Sequence, residues 1–244
     1  MVFDCEALLF DVFGTVVDWH GSITEELRSR SKGRVEDWAD FAAEWRAGYG
    51  RMTQDIAKGG NGPLNVDIMH REILDDMLKS AKWSHLSSLW NEEELQDLNL
   101  AWHRLHGWAD SSEGLYALKK RYMICTLSNG NVRLLADMAK FANLPWDVIF
   151  SGELLGSYKP NPKTCLGAAH HLSIPPSRCA MVAAHIYDLR AAASHGMKTI
   201  YVRRPTEDTA EIREQVKSKA EGGDVDIVVD SFLELATILG VNSS

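Results

Sequence analysis

The chain has 244 residues, 45% of them hydrophobic and 25% charged, with a formal net charge of −8. Those figures fit a globular protein of one large or two small domains, and the acidic balance argues against nucleic acid as a partner, since phosphate contacts need clustered Lys and Arg. No apolar run approaches the roughly 20 residues of a membrane helix, and the first residues carry Asp4 and Glu6 in place of a basic leader, so neither a membrane nor a signal peptide is expected.

In chain order, the apolar run EALLF predicts a buried strand that delivers Asp11. From about Trp19 to Leu105 there is no strand pattern, and four helical ones appear. SITEELRSR opens with a capping box of Ser22 and Glu25. VEDWADFAAEWRAGYGRM spaces Trp38, Phe41, Trp45 and Tyr49 helically, and the loop KGGNGPLN ends it. VDIMHREILDDMLKSA and NEEELQDLNLAWHRL follow, and Trp38, Trp45, Trp90 and Trp102 read as the core of this helical module. Beyond it the strand-like runs YMICTL, DVIF, CAMVA, TIYV and DIVV alternate with helical patterns, which implies right-handed crossovers and a parallel α/β sheet.

Ligands of such sheets bind at the carboxyl ends of the strands. Asp11 follows the first strand, Ser128 and Asn129 the second, Lys159 the third, and His185 and Asp188 the fourth. Two aspartates, a hydroxyl with an amide, and a lysine therefore gather at one edge. The RRPTED run after TIYV reads as a solvated loop, and the adjacent His170 and His171 make a poor metal pair. The four cysteines have no paired spacing and read as reduced thiols of a cytoplasmic protein.

FDVFGT, LSNGN, YKPNP and the aspartate of AAHIYD resemble, in order and spacing, the four motifs of the haloacid dehalogenase (HAD) superfamily. The helical stretch after the first motif is similar to that superfamily's helical cap. Any one motif is weak; four in order, with the insert in place, are strong, and together they cover nearly the whole chain. The resemblance implies a HAD-like Rossmannoid parallel sheet flanked by helices, residues 1–17 and 107–244, with an inserted four-helix cap, residues 18–106. Phosphatases of this superfamily carry D-x-D, whose second acid protonates the leaving group, and a further metal-binding acid in the fourth motif. Here Phe13 holds the second position, and Ala184 stands four residues before Asp188 where that acid is usual. A hard divalent cation needs several oxygen ligands. Both departures match the type II (L-2-haloacid) dehalogenase branch, which is similar in being metal-free, so neither metal nor cofactor is expected.

The resemblance then implies roles. Asp11 attacks C2 of a short 2-haloacid, giving an aspartyl ester and free halide, and water hydrolyses the ester to a 2-hydroxyacid. Arg46, in EWRAGY, receives the halide; Lys159 orients Asp11; Thr15 hydrogen-bonds near it; Asp188 anchors Lys159 and the water. Ser128 and the backbone N–H groups of Val12 and Phe13 hold the substrate carboxylate, while Asn129 and Tyr187 line the pocket. Ala183, His185 and Cys165 stand where the branch often has Ser, Asn and Tyr. His185, as a neutral imidazole, is the expected replacement that holds or deprotonates the water, and Cys165 is expected to pack, with a reactive thiol as the other reading. Dimerisation is implied by the resemblance alone. Three alternatives stay open: a phosphatase with degraded metal ligands, another carbon–heteroatom hydrolase on Asp11, and a non-catalytic binding protein.

Overall fold

The computed structural model describes residues 3–241. After strand β1 (Ala7–Phe10) come helices α1 (Trp19–Ser29), α2 (Trp38–Ala57), α3 (Val66–Met77), α4 (Glu92–Asn99) and α5 (Ser111–Lys119). Strand and helix then alternate: β2 (Met123–Ser128), α6 (Val132–Phe141), β3 (Val148–Ser151), α7 (Gly152–Leu155), α8 (Pro162–Leu172), β4 (Cys179–Ala183) and α9 (Ile186–Ser194). The chain ends through β5 (Lys198–Val202), α10 (Ala210–Gln215), β6 (Ile227–Val229) and α11 (Phe232–Ile238). The strands form one parallel sheet in the order β3-β2-β1-β4-β5-β6.

That order reverses direction between β1 and β4, which opens a crevice at their carboxyl ends. Both faces of the sheet are covered. Leu8 and Phe10 of β1 join a core cluster with Ile124, Val182 and Phe232, whereas Ala7 and Leu9 join another with Leu127, Ala168 and Leu189. Burial on both faces is why β1 reads as a continuous apolar run and not as an alternating one.

The helical stretch leaves and rejoins the sheet where Val17 and Gly107 form an antiparallel bridge and Asp18 N–H donates to His106 O at 2.9 Å. Trp38, Phe41, Trp45 and Trp102 are buried within it, in the same cluster as Phe13. His103 ties it to α6, with Nε2 2.9 Å from Asp67 Oδ1 and Nδ1 3.0 Å from Asp137 Oδ2. Two local expectations are corrected. Helix α1 starts three residues before Ser22, because the Asp18 carboxylate accepts from Gly21 N–H and caps it, so Ser22 lies in the first turn and donates to Asp18 O. The last helical pattern of this stretch divides at Asn99 and continues over Leu100–His103 as a tighter 3₁₀ turn. Among the described residues no helix is long and apolar enough to cross a membrane.

Candidate active site

Asp11 sits one residue beyond β1, held in line by its N–H donating to Val182 O at 3.0 Å. The chain then turns sharply: Gly14 takes φ +82° and Val16 N–H donates to Val12 O at 2.9 Å. A left-handed residue here favours glycine. The turn brings Thr15 back over Asp11, where its Oγ1 donates to Asp11 Oδ2 at 2.8 Å and accepts from Ala184 N–H at 2.9 Å. Lys159 arrives from the loop after α7, with its N–H on Asn129 Oδ1 at 2.7 Å. Its Nζ donates to Asp11 Oδ1 at 2.7 Å and to Asp188 Oδ2, in the first turn of α9, at 2.6 Å. All three charged groups are buried.

His185 stands at the N-terminal boundary of the same helix. Its Nδ1 lies 3.3 Å from Asp11 Oδ2, outside hydrogen-bond geometry, and its Nε2 lies 2.8 Å from Glu207 Oε2. Burial alone would raise the Asp11 pKa, but the Lys159 ammonium and then His185 outweigh it and hold the carboxyl far below the usual range. Burial opposes the charged form of Lys159, and Asp11 and Asp188 outweigh it to keep the ammonium protonated. Burial likewise opposes an imidazolium at His185, yet Asp11 and Glu207 lift its pKa to about 10. The expectation of a neutral imidazole is therefore corrected for the resting protein: two carboxylates flank the ring and keep it charged.

That charge carries a stability signature. A histidine raised from about 6.5 when unfolded stabilises the fold fully below that pH, and the contribution is lost as pH rises through about 10. The melting temperature should therefore decline from about pH 7 to about pH 10, and thermal melts of His185→Gln should show a shallower decline over the same range. An equal slope in both proteins would contradict the imidazolium.

These groups floor a cavity of about 670 Å³ between α2 and the strand ends. Asp11, Phe13, Asn129, Lys159, His185, Tyr187 and Asp188 line it, as does Arg46 from α2. Val12, Thr15 and Ser128 do not line it: Val12 is packed in the core, Thr15 stands behind Asp11, and the Ser128 Oγ accepts from Gly130 N–H. Arg46 lies among aromatic rings, its guanidinium carbon 4.4 Å from the Tyr49 centroid, 5.0 Å from Phe13 and 5.6 Å from Trp19. Its Nη1 is buried and has no hydrogen-bond partner among the described residues. Cys165 is buried in the second core cluster and burial pushes its thiol pKa up, which fits packing and not a reactive thiolate.

Asp11, His185 and Asp188 each present a ligand atom within 4.8 Å of the others. The donor set does not fit a hard divalent cation: the Lys159 ammonium already bridges the two carboxylates, and the third donor is an imidazole nitrogen where such a cation wants oxygen.

The RRPTED run is corrected as well. Arg204 is buried, its Nε on Thr15 O and its guanidinium forked on Asp110, and Glu207 lines the cavity with its side chain 4% exposed. This loop follows β5, so the strand-end rule that found Asp11 points to it too.

Comparisons place this geometry among known proteins. Residues 5–196 match the family model described as haloacid dehalogenase-like hydrolase, and residues 158–235 match a HAD-hydrolase-like model. The (S)-2-haloacid dehalogenase 4A of Burkholderia cepacia is 27% identical over 91% of this chain and 94% of its own. The defluorinating L-2-haloacid dehalogenase Rha0230 superposes with a TM-score of 0.87 at 36% identity, over 97% of this chain and 95% of its own. A phosphoglycolate phosphatase of Nitrosococcus oceani is 24% identical over 96% of each chain.

Proposed function

Because this chain belongs to the haloacid dehalogenase-like hydrolases, we propose that it hydrolyses the carbon–halogen bond of short (S)-2-haloalkanoic acids through an ester on Asp11. The observation that carries the reading is the missing second acid of the first motif: Asp11 is paired with Lys159, and the position two residues on, which a phosphatase needs as a proton donor, is the aromatic Phe13. Halide leaves carbon without a proton, so this chemistry needs a nucleophile and no second acid.

In the first step an Asp11 oxygen bonds to C2 of the substrate from the face opposite the halogen. The carbon–halogen bond breaks, and the halide leaves with its electron pair and with inversion at carbon. Thr15 and Lys159 hold the carboxylate for this attack. Arg46, with an unpartnered Nη1 inside a shell of Phe13, Trp19 and Tyr49, is where the halide would be received. The weakly hydrated guanidinium suits a large polarisable anion. Asn129 and Tyr187, which line the cavity beside Phe13, would bound the acid. In the second step water adds to the Asp11 acyl carbon and the 2-hydroxyacid departs with an oxygen that came from Asp11.

The relatives named as haloacid dehalogenases support this reading, and a phosphatase aligns too, so the two must be separated by activity. Halide release from (S)-2-chloropropionate, chloroacetate and fluoroacetate should proceed unchanged in EDTA, while phosphomonoesters with Mg²⁺ should give no turnover. Phosphate release that needs Mg²⁺, with no halide from any haloacid, would overturn the assignment.

A further inference from the structure

Resting on that reading, we infer that Glu207 is a positioning residue: it grips the His185 ring through Nε2 and turns Nδ1 to Asp11, so that His185 is an imidazolium before the ester forms and the base for water afterwards.

Glu207 is built into the site and does not merely reach it. Its Oε2 faces His185 Nε2 at 2.8 Å, while Oε1 accepts from Trp19 Nε1 at 2.9 Å and from Thr206 Oγ1 at 2.9 Å. The next residue pins the loop, since Asp208 Oδ2 accepts from Ile186 N–H at 2.8 Å and from the Tyr201 hydroxyl at 3.1 Å. Space for the carboxylate exists because residue 14 is glycine: a Cβ there would stand 2.1 Å from Glu207 Oε2. Gly14 thus serves both the turn that places Thr15 and the room that Glu207 occupies.

The charged groups facing His185 set its behaviour. Asp11 presses from the end of β1 and Glu207 from the loop after β5; Tyr187 and Asp188 come from α9, and the Lys159 ammonium lies between Asp11 and Asp188. In the resting protein the two flanking carboxylates favour the imidazolium. Alkylation turns one of them, Asp11, into a neutral ester while Lys159 stays cationic. The imidazolium then keeps only Glu207 as a flanking carboxylate and releases the Nδ1 proton to solvent through the open cavity. Glu207 keeps the proton on Nε2, so the lone pair that appears is on Nδ1, the nitrogen next to the Asp11 acyl carbon.

The hydrolytic step then balances. Nδ1 takes one proton from water as the hydroxide oxygen bonds to the acyl carbon. The tetrahedral adduct expels the 2-hydroxyacid oxygen, which takes a proton back from the imidazolium. The carboxylic acid left on Asp11 returns its proton to His185, restoring the carboxylate and imidazolium pair. One proton per turnover, released when the ester forms, accompanies the halide.

The test is single-turnover hydrolysis of (S)-2-chloropropionate, with halide and lactate followed separately across about pH 6 to 10, for wild type, Glu207→Gln, Glu207→Ala and His185→Ala. Glu207→Gln keeps an acceptor for Trp19 and fills the same volume, so it reports the charge and not the packing. Lactate formation should slow about tenfold or more relative to the halide burst in Glu207→Gln, further in Glu207→Ala, and by roughly 10²-fold in His185→Ala, with the esterified Asp11 peptide accumulating by mass. The rise of the lactate step with pH should shift to lower pH in Glu207→Gln, because the imidazolium has lost its remaining carboxylate. Equal slowing of both steps with an unmoved pH midpoint would make Glu207 a packing residue and overturn the inference. Absence of halide from wild type would instead remove the haloacid reading, and the inference with it.

Discussion

On the proposed reaction, Asp11→Asn should abolish halide release, by about 10³-fold or more, while leaving the protein folded. The magnitude follows from the role: loss of a covalent nucleophile leaves only binding and electrostatic contributions, and such losses run to roughly 10⁴–10⁶ in rate. The fold should survive, with a lowered melting temperature, because the amide has the same shape and Lys159 loses only one of its two buried carboxylates. The amide oxygen can still accept from Thr15, and Lys159 keeps Asp188 at 2.6 Å. A halide assay beside a thermal melt reads both parts. A variant that retained a tenth of the activity would show that water, and not Asp11, displaces the halide.

Lys159→Met should be the most destabilising change in the site. The ammonium is the shared partner of two buried carboxylates, at 2.7 Å from Asp11 and 2.6 Å from Asp188. Removing one member of a buried ion pair leaves the other charge uncompensated, at about 3–5 kcal/mol, which for a chain of this size lowers the melting temperature by roughly 10 °C. The deficit should depend on pH in a definite direction. With the cation gone, the two carboxylates disfavour each other's charge and one takes up a proton as pH falls. Melts at about pH 5 should therefore show a smaller deficit than melts at about pH 8. Activity should be lost at both values, because Asp11 loses its orientation. An equal deficit at the two pH values would mean that the lysine acts through packing of its alkyl stem.

Much of this site is visible in the chain because the parallel sheet converts sequence order into spatial proximity. Asp11, Lys159 and Asp188 lie far apart in sequence, and each follows an apolar run that becomes a strand. The structure brings them within hydrogen-bond distance at the reversal between β1 and β4. Phe13 and Ala184 are legible for the same reason: position after a strand identifies what a residue could touch.

What was not legible depends on long-range packing. The carboxyl end of β5 obeys the same rule, yet two arginines, a proline and two acids read as a solvated loop. Only the fold shows Arg204 buried against Asp110 and Glu207 turned inward over Gly14. The charge state of His185 is likewise a property of the pair of carboxylates around it and not of AAHIYD itself. Helices α5, α10 and α11 have weak or short patterns and take their place by packing or capping, as where Phe232 N–H donates to Asp110. Helix α1 is set by Asp18, whose capping role competes with the more conspicuous Ser22 and Glu25.

Covalent attachment of the substrate to Asp11 can be read directly by isotope labelling. With enzyme in excess over (S)-2-chloropropionate in H₂¹⁸O, a single turnover should place the heavy oxygen in the Asp11 carboxylate, found in the peptide that carries it, and leave the lactate hydroxyl unlabelled. Lactate that carries the label from the first turnover, with an unlabelled Asp11 peptide, would mean that water attacks carbon itself and would contradict the ester mechanism.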